Sequence, residues 1–115
     1  MNVLTETIAY LGGVLSVPVS ADVPANRPDA FVTVSRDGGG TTEVDDRPTI
    51  TVQVWDADRL ELETLNETVG DALLAMPQHV TGVFSVSIDT VSYYPLQVGG
   101  NFPRYVLTVS VYAGR

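Results

Sequence analysis

The spacing of apolar residues along the chain first predicts a short helix. Leu4, Ile8 and Leu11 recur at i, i+4 and i+7 within residues 2–11, which places them on one face of a helix. Gly12-Gly13 follow directly, and glycine is typical of a helix C-terminus because it reaches the left-handed conformation without a Cβ clash. Apolar, β-prone residues 15–19 come next. Because they contain Pro18, which cannot donate to a ladder, they are predicted to be an edge strand or an extended segment.

A second, longer helix is predicted after Trp55. Asp58 followed three residues later by Glu61 forms a capping-box pattern, and Pro77 is expected to end the helix. Gly70 interrupts the pattern at a cost of roughly 1 kcal/mol against alanine, so close packing on a sheet is expected there. The apolar face of this helix contains Leu62, Leu65, Val69, Ala72, Leu73 and Met76.

Residues of alternating polarity predict four strands, over 31–36, 48–55, 80–94 and 105–112. The third strand changes phase at Asp89-Thr90, which predicts a β-bulge. Before that point the apolar residues of the alternation are Phe84, Val86 and Ile88, and Val91 and Tyr93 continue it afterwards.

These elements predict one α+β domain over residues 1–115, in the order α-β-β-α-β-β. Its sheet is expected to be four-stranded and mostly antiparallel, with both helices on one face. The polar, glycine-rich residues 37–46 are predicted to be a long mobile loop at the tip of a hairpin. Strands 31–36 and 106–112 carry apolar or β-branched residues on both faces. The uncovered face should therefore meet another chain or the N-terminal segment, which predicts self-association.

Composition removes several kinds of chemistry. The 115 residues include 14 acidic residues, six arginines, no lysine and no cysteine, and the formal net charge is −8. Thiol chemistry, zinc–thiolate sites, Schiff bases and a P-loop lysine are excluded. The charge has the wrong sign for binding a phosphate backbone. No export signal and no membrane-spanning segment are expected, which favours a soluble intracellular protein.

Candidate catalytic and metal-binding residues are few. His79 is the only histidine, it lies at the predicted end of the second helix, and no serine lies in a nucleophile elbow, so an enzyme is not expected. No cofactor is predicted. Two interpretations of the loop stay open: a flexible calcium site, although the spacing does not fit an EF-hand, and a solvated acidic loop. Aromatic residues are interpreted as core or as subunit contacts, since no basic groove accompanies them.

Three stretches together resemble the tail terminator proteins of long-tailed siphophages. The first is the segment Arg27-Pro28-Asp29-Ala30-Phe31 with its strand and glycine-rich tip. The second is Asp46-Arg47-Pro48, which leads through an alternating strand to Trp55 and the acidic helix. The third is the ending Gly99-Gly100-Asn101-Phe102-Pro103-Arg104-Tyr105 with its final strand. The resemblance spans nearly the whole chain, and its motifs are structural.

The resemblance implies a virion protein of the tail and neck, assembled in the host cytoplasm. Such subunits form a ring, expected here to be a hexamer, that caps the head-proximal end of the tail tube and stops its polymerisation. The implied partners are other copies of the chain, the major tail tube protein and a head-completion (stopper) protein, while DNA passes through the lumen without specific binding. Another head-tail connector, a tube-like protein, or a small non-catalytic binding module are the alternatives.

Two sets of residues are candidates for these contacts. A loop that lines the lumen or docks on the tube is predicted to contain Asp37, Gly38, Gly39, Gly40, Glu43, Asp45 and Asp46. The candidate subunit contacts are Phe31, Trp55, Tyr94, Phe102, Arg104 and Tyr112. An acidic lining would repel phosphates within a screening length of about 8 Å at physiological salt.

Overall fold

The chain folds as an α+β domain with two helices and a five-stranded mixed sheet, in a computed structural model that describes residues 1–97 and 102–115. The strand order across the sheet is β1-β2-β3-β5-β4. In chain order the elements are α1 Val3–Val14, β1 Val19–Ser20, β2 Ala30–Thr41, β3 Asp45–Asp56, α2 Arg59–His79, β4 Val83–Tyr93 and β5 Arg104–Gly114. The turn predicted at Gly99-Gly100 lies outside the described residues.

The α+β class is confirmed, but the predicted four-stranded, mostly antiparallel sheet is wrong in detail, since the sheet has five strands and is mixed. A fifth strand, β1, pairs parallel to β2 through Val19 and Val32. The carbonyl of Pro18 accepts the N–H of Val32 at 2.9 Å, so the proline contributes an acceptor where it cannot contribute a donor. The remaining pairs are antiparallel, as predicted.

The start of α2 agrees with the predicted cap, whereas both helices end further along the chain than predicted. Asp58 Oδ1 accepts the N–H groups of Leu60 and Glu61 at 2.9 and 3.0 Å, which confirms the cap. The prediction that Pro77 ends α2 is wrong, because Pro77 lies in the last turn and its missing N–H removes only one terminal hydrogen bond. Likewise α1 continues through Gly12-Gly13 to Val14.

One face of the sheet packs on both helices and forms the main core. The apolar rows predicted for β3 and β5 lie on this face, as does the apolar face of α2. The sheet residues buried there are Val32, Val34, Ile50, Val52, Val54, Val83, Leu107, Val109, Val111 and Ala113, and the helices contribute Val3, Leu11, Leu62, Val69, Leu73 and Met76. The opposite face carries no helix among the described residues and is called the open face below.

The strands contain three irregularities in register. The bulge predicted at Asp89-Thr90 is confirmed by a register shift between Ile88 and Thr90. A second shift in β4 lies between Val83 and Ser85, and β2 has one between Arg36 and Gly38. The predicted long loop over 37–46 is wrong, since β2 and β3 pair up to Thr41 and Asp46 and leave only residues 42–44 as a connection. No helix within the described residues is long and apolar enough to cross a membrane.

Replacing Gly70 with alanine is expected to stabilise the protein by about 0.5–1 kcal/mol. Alanine has the higher helix propensity, and an added Cβ would lie 3.7 Å from Ile88 Cδ1, which is an ordinary van der Waals contact. Gly70 lies against the sheet, as predicted, but the space beside it accommodates a methyl group. Urea denaturation of the two proteins measures the difference, and a loss of stability would contradict this expectation.

Candidate functional site

The tip of the β2–β3 hairpin is held by a pair of opposite charges. The Arg36 guanidinium donates to both carboxylate oxygens of Asp46, at 2.8 and 3.0 Å, and the hydroxyl of Thr41 donates to the same carboxylate at 2.7 Å. Asp46 is almost fully buried. The Arg36 hydrogen bonds, with a further contribution from Thr41, hold the pKa of the Asp46 carboxyl below its ordinary value, although burial acts in the opposite direction.

The other acids of the predicted docking loop are also engaged. Asp45 accepts a 2.7 Å hydrogen bond from Thr42, which together with Arg47 lowers the pKa of Asp45. Asp37 accepts from the hydroxyls of Thr51 and Ser35. The carboxylates that were expected to be free are therefore largely bound by hydroxyl groups and arginines of the hairpin. Of the predicted acids, only Glu43 makes no such contact among the described residues.

Replacing Asp46 with asparagine is expected to cost about 1–2 kcal/mol of unfolding free energy at pH 7, because a nearly buried, charge-assisted pair is lost. The folded-state pKa of Asp46 lies below its unfolded value of about 4. Its contribution is therefore fully present above pH 4 and is lost as the pH falls through the folded pKa. Denaturation series between pH 7 and pH 2 should show the two proteins converging at acid pH. An undiminished difference at pH 2 would exclude this origin.

The open face of the sheet is covered with small hydroxyl side chains. Its central rows consist of Thr49, Thr51, Thr108, Ser110, Ser85 and Ser87, which alternate with the core residues of β3, β5 and β4. Asp89 accepts hydrogen bonds from Ser87 and Ser110 on this face. These residues are partly or fully exposed, and none of the helices described above covers them.

An aromatic cluster closes one end of the open face. The rings of Phe31 and Trp55 stack with centroids 5.1 Å apart, and Phe102 lies against both, at 6.2 and 5.8 Å. Trp55 Nε1 donates to Thr33 Oγ1 at 3.4 Å. Phe31 and Trp55 are buried inside the chain, so in this conformation neither presents a surface to another subunit, contrary to the prediction. Arg27, from the segment before β2, lies over the Phe102 ring of this cluster.

A surface patch of Tyr94, Phe102 and Arg104 lies on this cluster, and it is called the base patch because it is at the end of the sheet away from the hairpin tip. The Arg104 guanidinium carbon sits 4.9 Å from the Trp55 ring centroid and 5.5 Å from that of Tyr94. Its Nε donates to the Tyr94 carbonyl at 2.8 Å and its Nη1 to Gln53 Oε1 at 3.2 Å. The Tyr94 side chain is 65% exposed. A fixed guanidinium with an exposed tyrosine beside it is thus available at the surface.

The tip patch, defined here as Arg47, Phe84 and Tyr112, lies at the other end of the open face. Phe84 and Tyr112 meet edge to face at 5.4 Å, and the Arg47 guanidinium carbon lies 4.8 Å from the Tyr112 centroid. Tyr112 is one of the predicted subunit contacts, whereas the sequence pattern places Phe84 in one alternating row with Val86 and Ile88. The register shift between Val83 and Ser85 reverses the alternation there, and Phe84 is exposed. The reversal arises from one extra residue in β4, and nothing else in the sequence indicates it.

Every arginine of the chain has an internal contact. Arg59 lies 3.9 Å from the Tyr93 centroid and pairs with Glu63, which also accepts a 2.7 Å hydrogen bond from Tyr105. Both contacts lower the pKa of Glu63, the bond from Tyr105 first. Arg27 lies over Phe102, and Arg115 donates to the Thr42 carbonyl. The arginines therefore contribute contacts within the fold. With 14 acidic residues against six arginines, the exposed charge of the described surface is predominantly acidic, especially along α2.

The remaining candidate for catalysis, His79, stacks on Tyr10 with ring centroids 6.0 Å apart. Among the described residues it has no hydrogen bond to a carboxylate or hydroxyl, and no group of three or more acidic or histidine side chains could hold a metal ion. Neither family models nor curated proteins give a match to this chain.

Proposed function

We propose that this protein is a structural subunit of the tail terminator type. It closes into a ring, expected to contain six copies, at the head-proximal end of a phage tail tube. There it stops tube polymerisation and offers a surface to a head-completion protein, while DNA passes through the lumen. No catalytic step and no cofactor belong to this role.

The observation that carries the proposal is the pair of arginine–aromatic patches at opposite ends of the open face. They lie about 27 Å apart, estimated from the eight residue-to-residue steps along β5 from Arg104 to Tyr112. A closed ring is built from heterologous contacts, in which one surface of each subunit meets a different surface of the next. Arginine and tyrosine are enriched in such contacts, so a chain with two separate patches of this composition suits the role.

The rows of hydroxyl side chains between the two patches also favour the view that the open face binds a partner. Small polar side chains keep a sheet face soluble while the protein is unassembled, and they pack closely against a partner without leaving a buried charge. The acidic balance of the chain, −8 per subunit, disfavours retention of DNA by an assembled ring.

The test is the mass and activity of the assembled species. Six copies of the 12.3 kDa chain give about 74 kDa, which sedimentation velocity and native mass spectrometry separate from smaller forms. Added to polymerising tail tube protein, the ring should bind tube ends and shorten the tubes seen by electron microscopy. A protein that stays monomeric at high concentration and leaves tube length unchanged would refute the proposal. A ring that ignores tube ends would instead support another neck protein.

Replacing Tyr112 with serine is expected to weaken assembly at least about tenfold, because an exposed aromatic at the centre of the tip patch is removed. Its unfolding free energy should stay within about 1 kcal/mol of the parent value, since the side chain is 37% exposed. Leu60→Ser is the matched control, because Leu60 is a large apolar residue that is 78% exposed on α2. Equal weakening by both variants would count against a specific role for the tip patch.

A further inference from the structure

Strand β4 is an unpaired edge of the sheet. It is last in the strand order and has β5 as its only neighbour among the described strands. Over its 11 residues it has one charged residue, Asp89, and neither proline nor lysine. Edge strands of soluble proteins usually carry such residues to block the addition of another strand. Apart from its two bulges, β4 lacks that protection.

An apolar row runs along the helix-facing side of this edge and is only partly covered. Val91 pairs with the buried Leu107 and Tyr93 pairs with Tyr105, which places both on the helix side of the sheet. Val91 is nevertheless 51% exposed and Tyr93 is exposed as well. Leu74, one turn after Gly70 on α2, is exposed too. The free edge of β4 therefore presents partly exposed apolar side chains on the side of the sheet that faces α2.

The flank of α2 that faces this edge is acidic. Contacts of Glu63 with Tyr105 and of Gly70 with Ile88 show that this flank faces β5 and β4. Glu63, Glu67 and Asp71 follow one another at intervals of four residues, so they form one row on the helix. Like charges at this spacing destabilise a helix by a few tenths of a kcal/mol per pair.

Only the first acid of the row has a cation. Arg59 pairs with Glu63, whereas Glu67 and Asp71 form no ion pair within the described residues. Beside the row, Asn66 Oδ1 is buried and accepts no hydrogen bond within the described residues. The acidic row is unfavourable by itself, and it lies next to an open strand edge and a partly exposed apolar row. This combination is expected of a surface that a cationic partner completes.

We propose that an extended, basic segment of a different protein adds to the β4 edge as a sixth strand. Its backbone would pair with β4, the aliphatic stems of its lysines or arginines would pack on Val91 and Tyr93, and their charged ends would reach Glu67 and Asp71. A second copy of this chain is the poorer occupant, because it has no lysine and its arginines already make internal contacts.

The experiment uses a fluorescein-labelled octapeptide of alternating lysine and threonine as the probe, with alternating glutamate and threonine as its counterpart. Fluorescence anisotropy should show saturable binding of the lysine peptide that weakens as salt is raised, and at least about tenfold weaker binding of the glutamate peptide. Backbone amide NMR shifts should concentrate in β4 and on the α2 flank.

Two double variants with the same change in charge locate the site. Glu67→Gln with Asp71→Asn should weaken lysine-peptide binding about tenfold or more. Glu6→Gln with Asp22→Asn removes two exposed acids elsewhere and should change binding less than twofold. Val91→Lys should abolish binding by placing a cation on the apolar row.

Several results would overturn this inference: no saturable binding, equal binding of both peptides, equal weakening by the two double variants, or amide shifts that lie outside β4. Assembly in which β4 of one copy is covered by another copy would also overturn it. The outcome is independent of the ring proposal, because subunit mass and tube capping are measured without the peptide. A ring that ignores the peptide refutes the added strand alone, and a peptide-binding monomer that does not cap tubes refutes the ring alone.

Discussion

Replacing Trp55 with alanine is expected to lower the free energy of unfolding by about 3–5 kcal/mol. The side chain is only 2% exposed, and it joins Phe31, Phe102 and Arg104 into one cluster on the open face. No helix among the described residues covers the open face at this end, so few neighbouring side chains can move into the space that the indole leaves. Equilibrium urea denaturation followed by circular dichroism measures the loss.

Tyr94→Ala is the matched control for this change. The Tyr94 ring also lies near the Arg104 guanidinium but is exposed, so its loss should cost less than about 1 kcal/mol. Similar costs for the two variants would mean that the cluster does not act as a second core. In that case the burial of Phe31 and Trp55 would have little energetic consequence.

Replacing Gly39 with alanine is expected to destabilise the hairpin by about 2–4 kcal/mol. Gly39 has φ = +95°, a conformation that costs a residue with a Cβ roughly 1–2 kcal/mol or more. In addition, the new Cβ would lie 2.0 Å from the Arg47 carbonyl oxygen, a backbone atom, so the strands themselves must shift. Thermal unfolding and hydrogen exchange at the amides of residues 36–48 would report global and local loss.

The neighbouring Gly40 gives the control within the same tip. A Cβ added there meets nothing within 4 Å, so Gly40→Ala should stay within about 0.5 kcal/mol of the parent protein. If the two alanine variants behaved alike, the hairpin tip would be looser than the Arg36–Asp46 pair implies.

Much of the fold follows from local signals in the sequence. The Asp58 cap, the bulge after Ile88 and the buried rows of β3 and β5 each depend on residues close together in the chain. Periodicity and capping chemistry describe such features well, because the same few residues determine the local conformation and its burial.

The errors arise where distant residues decide the conformation. Residues 37–46 have the composition of a solvated loop, yet Arg36 and Asp46 pair across the hairpin and make most of it strand. The direction of Phe84 depends on one extra residue in β4. Neither the Arg36–Asp46 pair nor the extra residue in β4 produces a periodic pattern in the sequence. The candidate site was predicted in part for the same reason: Tyr94 and Tyr112 are exposed, whereas Phe31 and Trp55 are buried.

The two register shifts in β4 have a consequence for what this edge can recruit. A straight, regular edge accepts another strand in many alignments, and each added strand offers a new edge for the next. In β4 the shifts after Val83 and after Ile88 break the ladder into short stretches with different phases. A strand that slides by one or two residues loses its backbone pairing at a break. The edge is therefore suited to one short segment in one alignment, and the same irregularity protects the isolated protein from open-ended fibrous growth.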